Sequence, residues 1–255
     1  ALNGQRVRRI SGSPCVFKNK FLRIGTINVG SLSQRSIEVV DIIDRRNIDI
    51  CCLPETKWKS SGVKEIVIGN NGYMLFWSGH DKNSYAGVGI LVNEHVAENV
   101  IEIKRQNDRL MSLKIRTENE LMTVISTYAP QAGESNELKE SYWTALTDFI
   151  HSVPENEQLV VGGDLNGHVG LNGDGFDHSH GNNGYGARNE DGIRILEFAE
   201  SEDLCILNTF FKKNDEHLIT YKSGSTATQI DYFITRQKDL LRFRDVIVIP
   251  GDACV

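Results

Sequence analysis

Leu159-Val160-Val161-Gly162-Gly163-Asp164-Leu165-Asn166 is a short apolar run that reaches two glycines and then presents an acid and an amide. Val160 and Val161 carry the stiff branched side chains of a buried strand, and a glycine pair lets the backbone approach something closely and turn. Asp164 and Asn166 therefore stand at a strand end. If the extended conformation continues, both side chains point the same way and offer an acceptor-only group beside a mixed donor and acceptor, which suits a metal and a phosphate. An Asx turn closing the strand fits the same residues, so the rest of the chain has to decide.

Upstream, Phe21 to Asn28 reads as a strand. Ile37, Val39, Val40, Ile42 and Ile43 then recur at helical spacing, with Ser33 or Ser36 as the cap, and Ile48 to Leu53 reads as a second strand ending in Pro54-Glu55-Thr56. So compact a strand, helix, strand unit favours parallel pairing with a right-handed crossover, which brings Asn28 and Glu55 to one edge of a sheet. The middle is strand-rich, Tyr73 to Ser78, Gly87 to Val92, Val100 to Ile103, Leu110 to Ile115 and Leu121 to Thr127, and its turn signals predict a hairpin meander that ends at Tyr128. A helix fits Glu137 to His151. Residues 167–187 are crowded with Gly, Asn, Asp and His and form a long loop. A helix over Arg188 to Ser201 with Asn189 as cap follows, then short strands at Leu204 to Leu207, Leu218 to Lys222, Gln229 to Thr235 and Val246 to Ile249. Without a repeat or linker, one domain of mixed α and β segments is expected over 21–255, behind a basic flexible tail over 1–20.

Composition narrows the function classes. The chain has 255 residues, 40% of them hydrophobic, enough for a packed core. No run approaches the ~18 apolar residues that would span a bilayer, so no membrane partner is expected. Five cysteines without metal-site spacing read as reduced thiols, which points to a nuclear or cytoplasmic location. A net charge of −6 argues against a protein that merely coats polyanions. Local basic runs remain, Arg6, Arg8, Arg9, Lys18, Lys20 and Arg23 at the start, and Arg236, Lys238, Arg242 and Arg244 near the end.

One feature repeats: Asn28, Glu55, Tyr128, Asp164 and Asn166 stand where apolar runs stop. Asp231 differs, because it lies among Ile230, Phe233 and Ile234, where an ionised carboxylate is costly without a compensating partner. The ordered set Thr26-Ile27-Asn28-Val29, Pro54-Glu55-Thr56-Lys57, Thr127-Tyr128-Ala129-Pro130, Gly163-Asp164-Leu165-Asn166, Thr220-Tyr221 and Gln229-Ile230-Asp231-Tyr232 resembles the endonuclease/exonuclease/phosphatase superfamily. Within it, the set is most similar to the apurinic-like endonuclease domains of RTE-type non-LTR retrotransposons and related host proteins.

The resemblance implies a four-layer α/β sandwich, two mixed β-sheets packed face to face with helices outside. It implies that Glu55, helped by Asn28, holds Mg²⁺ or Mn²⁺, that Asp164 orients or deprotonates the attacking water, and that Asn166 and Tyr128 contact the phosphate. Thr220 would lie near the phosphate and Asp231 would orient a catalytic histidine. The implied function is a divalent-metal-dependent, DNA-nicking phosphodiesterase of retrotransposon origin, acting as a monomer on DNA. All-oxygen ligands agree with a hard cation rather than zinc, and His168, His178 and His180 read as polar loop residues because no Cys or further His completes a tetrahedral set. The family closes its site with Ser-Asp-His or a near variant, whereas the last residues here are Gly251-Asp252-Ala253-Cys254-Val255. The expectation is a domain cut short before that motif, and weak or no activity from this chain. A silent binding or scaffold module of the same fold, or a phosphomonoesterase or deadenylase, stays open as an alternative.

Overall fold

Strand β2 (Ile50–Pro54) shows how the layers arise, because all five of its residues are buried. A strand covered on both faces must send alternate side chains to two different neighbours. Cys51 and Leu53 join Val39, Val40 and Ile43 of helix α1 (Ser36–Arg45) in one apolar cluster, while the Cys52 thiol turns to the carbonyl of Ile125 at 3.8 Å. These contacts come from a computed structural model that describes residues 21–82 and 85–250. The expected tail over 1–20, Cys15 and the terminal residues 251–255 lie outside the described residues.

Contacts divide the chain into two compact units. The first contains the chain through Tyr128 together with Val153–Gln158. Its five-stranded sheet runs β1 (Ile24–Thr26), β2, β5 (Val88–Asn93), β4 (Asn71–Ser78), β3 (Ser61–Ile68). β1 and β2 are parallel across the α1 crossover, as expected, and the remaining pairs are antiparallel. After the short helix α2 (Glu94–Ala97) come β6 (Val100–Arg105), β7 (Leu110–Arg116) and β8 (Leu121–Tyr128), an antiparallel meander packed on β2, β4 and β5. Helix, sheet and sheet are thus stacked within this unit.

The second unit holds Ala129–Ser152 and the chain from Leu159. Strand β13 (Asp231–Arg236) lies antiparallel between β10 (Leu204–Ile206) and β9 (Gln158–Asp164). Helices α3 (Asn136–His151) and α4 (Glu190–Ser201) pack together, with the Trp143 and Phe198 rings 5.0 Å apart and Lys139 paired with Asp191 at 2.7 Å. The α/β class with two mixed sheets and outer helices is the architecture the chain adopts.

Several element expectations change. β3 was missed, since its Lys64 and Glu65 break the alternation of its valines. Val246 to Ile249 forms no strand; Val248 N–H donates to the His217 carbonyl and the Val248 carbonyl meets the His217 Nδ1 at 3.0 Å. Neither Ser33 nor Ser36 caps α1. Gln34 adopts φ 65°, which turns the chain so that Arg35 holds the cap position without a side-chain bond and Ser36 falls inside the helix. Asn189 does cap α4, accepting from Gly192 N–H at 2.8 Å. The strand expected over Leu218 to Lys222 is instead the start of a small hairpin, β11 (Tyr221–Ser223) with β12 (Thr226–Thr228).

Candidate active site

In the first unit the parallel pair β1 and β2 delivers Asn28 and Glu55 to the same sheet edge, where Val29 N–H donates to the Pro54 carbonyl at 3.3 Å. The Asn28 side-chain oxygen accepts from Gly30 N–H at 2.9 Å. Glu55 follows β2 with φ 61° and Lys57 with φ 54°, left-handed conformations that cost non-glycine residues of order 1 kcal/mol each. Two backbone bonds hold this strained turn, Thr56 N–H to Gly87 carbonyl at 2.9 Å and Lys57 N–H to Ala86 carbonyl at 2.8 Å. Gly87 is obligatory: its φ is 107° and a Cβ there would sit 2.4 Å from the Thr56 hydroxyl. That hydroxyl is buried without a hydrogen-bond partner. The Glu55 carboxylate is mostly buried and takes the Lys57 ammonium at 2.9 Å as its counter-charge.

Tyr128 closes β8 and is 3% exposed. Its N–H donates to the Arg109 carbonyl, and the Arg109 guanidinium lies 5.2 Å over its ring while donating to the Tyr128 carbonyl at 3.2 Å.

In the second unit Asp164 ends β9 and Asp231 begins β13, and the antiparallel register sets them directly opposite one another. They are 2% and 8% exposed. Burial first, and then the neighbouring Asp164 charge, push the Asp231 carboxyl well above the usual carboxylate range, while the Thr220 hydroxyl pulls the other way. One Asp231 oxygen has no hydrogen-bond partner, and neither does the side-chain amide of Gln229 two residues earlier, itself 2% exposed. Thr220 accepts at its hydroxyl from Ile230 N–H at 2.9 Å and Asp231 N–H at 3.2 Å, so it fixes the entry into β13.

Of the two forms that its residues allowed, the opening motif takes the Asx turn. The extended conformation does not continue past Asp164: Asn166 adopts φ 50°, and its N–H donates to the Asp164 carboxylate at 2.9 Å in an Asx turn. That turn itself orients the pair. Asn166 also donates an amide hydrogen to the Ala129 carbonyl at 2.8 Å, and Ala129 N–H returns a bond to the Asp164 carbonyl at 2.8 Å. Gly162 and Gly163 belong to the strand, opposite Phe233 and Tyr232, rather than to the turn.

Each unit thus gathers a subset of the candidates: Asn28, Glu55 and Tyr128 lie at strand ends of the first, Asp164, Asn166, Thr220 and Asp231 around the β9–β13 end of the second. Lys57, Arg109 and Gln229 escaped sequence reasoning. Lys57 and Gln229 stood inside quoted motifs, but no pattern of residue types singled them out. Among the described residues no group of three or more His, Cys, Asp or Glu side chains gathers as a metal cluster. The loop histidines disperse, His178 to Asp203 at 2.8 Å and His180 to the Gly170 carbonyl at 3.1 Å. The donors fit Mg²⁺ or Mn²⁺ nonetheless. Such ions bind through one or two carboxylates and keep several waters, and Glu55 already receives a cationic group at its carboxylate.

Comparison with known proteins bears on the family and the fold. The model of the Endonuclease/Exonuclease/phosphatase family matches residues 25–253. Craniofacial development protein 2 of Tragulus javanicus is 30% identical over 234 residues, 91% of this chain and 40% of that protein, and the Bos taurus protein is 30% identical over 91% and 38%. The chain therefore spans about two fifths of the length of these relatives. Among solved structures, the endonuclease domain of TRAS1, a telomere-specific non-LTR retrotransposon, has a TM-score of 0.60 at 16% identity, covering 86% of this chain and 87% of that one. An AP endonuclease from Leishmania major has a TM-score of 0.63 at 11% identity, covering 91% and 83%. A 3′ phosphatase from Neisseria bound to a product DNA hairpin has a TM-score of 0.62 at 16% identity, covering 88% and 90%.

Proposed function

Because the chain belongs to the endonuclease/exonuclease/phosphatase family, we propose that it is a divalent-metal-dependent phosphodiesterase that nicks DNA and derives from a retrotransposon. The observation that carries the catalytic reading is the pair Asp164 and Asp231, two buried carboxylates set opposite each other across β9 and β13 with one oxygen unpartnered. Two such groups side by side burden a fold, and a buried carboxyl raised by a neighbouring carboxylate is a candidate for acid and base work.

Phosphodiester hydrolysis needs a water positioned and relieved of a proton, and charge on the phosphoryl oxygens neutralised. Asp164 is the group that orients the water and takes its proton. Its orientation is fixed by the Asn166 N–H. Asp231, held at its backbone by Thr220, lies beside it with its proton affinity raised by burial and by the Asp164 charge. Asn166 has one amide hydrogen fixed on Ala129 and a second to offer a phosphate oxygen. Glu55 and Asn28 hold the cation, which when bound supplies positive charge to the phosphoryl oxygens. Tyr128 contacts the phosphate. The likeness to the TRAS1 endonuclease domain and to an AP endonuclease supports internal cleavage of DNA.

The test is nicking of supercoiled plasmid, an abasic duplex and a 3′-phosphorylated duplex, with Mg²⁺ and with chelator. Weak metal-dependent nicking, or none, is expected of this chain, and any nicking it shows is expected to be lost in Asp164→Ala. Release of phosphate from 3′ ends without any nick would replace the endonuclease reading by a phosphomonoesterase. Binding of DNA without turnover of any substrate would favour a scaffold.

A further inference from the structure

We propose that Arg109 is a phosphate ligand for the nucleic acid and the positioning residue of Tyr128. This inference rests on the nuclease reading and deepens it, since it adds a side chain that no sequence motif marked.

The backbone around Arg109 is fixed before any ligand arrives. Its own N–H donates to the Asn107 side chain at 2.8 Å, the Ser78 hydroxyl donates to the Asn107 carbonyl at 2.7 Å, and Gly87 N–H donates to the Asp108 carbonyl at 2.8 Å. Gly87 is the residue whose carbonyl also accepts from Thr56 in the Glu55 turn. One continuous set of backbone bonds therefore runs from the Glu55 turn through Gly87 and Asp108 to Arg109 and on to Tyr128, all within the first unit.

The side chain is equally constrained. The guanidinium covers one face of the Tyr128 ring at 5.2 Å and donates to the Tyr128 carbonyl at 3.2 Å. An arginine carries five N–H donors, and among the described residues this one enters no ion pair with a carboxylate. Arg105, by comparison, spends its fork on the carbonyls of Trp77 and Gly62. The planar fork of Arg109 is left partly exposed with one donor on the Tyr128 carbonyl, a state that suits bidentate capture of a phosphate. Because the same group lies against Tyr128, capture of the phosphate and placement of the phenol are one event.

The experiment measures DNA-duplex affinity of the whole chain against salt, for wild type, Arg109→Gln and Arg109→Lys, together with melting temperature and steady-state nicking. Gln keeps a planar donor over the ring but no charge. Loss of one phosphate contact lowers the slope of log K against log salt by about 0.9, so the affinity lost between 50 and 200 mM salt shrinks about 3.5-fold in Arg109→Gln. Arg109→Lys is expected to restore the slope, since the charge returns, while leaving kcat reduced because the fork over Tyr128 is gone. A wild-type slope in Arg109→Gln, with only its melting temperature lowered, overturns the inference and leaves the nuclease reading intact. Absence of salt-dependent DNA binding in the wild type overturns that reading itself.

Discussion

Asp231 is where a single residue tells most about chemistry and stability together. Its folded proton affinity exceeds the ordinary value of 3.8, so folding favours the protonated form. For a group raised in this way, the stabilising contribution is complete below that ordinary value and is lost as pH rises through the folded value. At neutral pH the Asp231 charge is therefore a burden on the fold. Asp231→Asn is expected to melt higher than wild type at pH 8, by roughly 2–4 °C for each kcal/mol relieved, with the difference shrinking toward pH 3.5. An equal difference at both pH values would show that the carboxylate is not strained by burial. The residue was legible as a problem, because its flanking Ile230, Phe233 and Ile234 announced a buried acid. Its neighbour was not, since pairing with Asp164 depends on the register of strands 67 residues apart in sequence. Arg109 was invisible for a similar reason: Asn107-Asp108-Arg109 reads as a plain polar turn until its packing on Tyr128 is seen.

At the scale of elements, the start of α4 shows how tertiary contact overrides local preference. The Asn189 side-chain oxygen accepts from both Gly192 N–H and His168 N–H, so one cap ties the helix to the loop that follows the Asn166 turn. Glycine inside a helix normally gives way to alanine with a gain of up to about 1 kcal/mol. Here a Cβ on residue 192 would lie 1.7 Å from the His168 carbonyl oxygen. Gly192→Ala is therefore expected to destabilise, by about 1–3 kcal/mol as overpacking does, and to weaken nicking, because the clash pushes on the segment leading from Asn166. A higher melting temperature in this variant would refute the close approach. The cap at Asn189 was readable from residue type; the need for glycine at 192 was not, as nothing local distinguishes a helix glycine that touches a loop from one that touches water. Elements whose apolar residues recur cleanly, α1, α3 and β4 to β8, were found near their true positions. β3 was lost because Lys64 and Glu65 interrupt it, and Val246 to Ile249 was overread because branched residues alone do not supply a partner strand.

For the whole molecule, the order of motifs along the chain outweighed every local signal, which is why the family could be read from sequence while the contacts of the candidate residues within each unit could not. β3 carries a further consequence. Among the described residues it is the last strand of its sheet, eight residues long, with Val63 and Val67 exposed. An open edge of that kind invites a second copy to add its own β3 in antiparallel fashion. A two-fold axis normal to the sheet pairs residues whose numbers have an even sum. The two most overlapping registers then set Lys64 against Lys64, or Glu65 against Glu65, of the other copy, and like charges directly opposite repel. The pair that hid this strand from sequence reading thus works against pairing of two copies through β3. Replacing both, Lys64→Val with Glu65→Val, is expected to turn a chain of 28.6 kDa into a dimer on size exclusion with light scattering, at unchanged secondary structure. A double variant that elutes with the wild type would mean that something other than charge guards the edge.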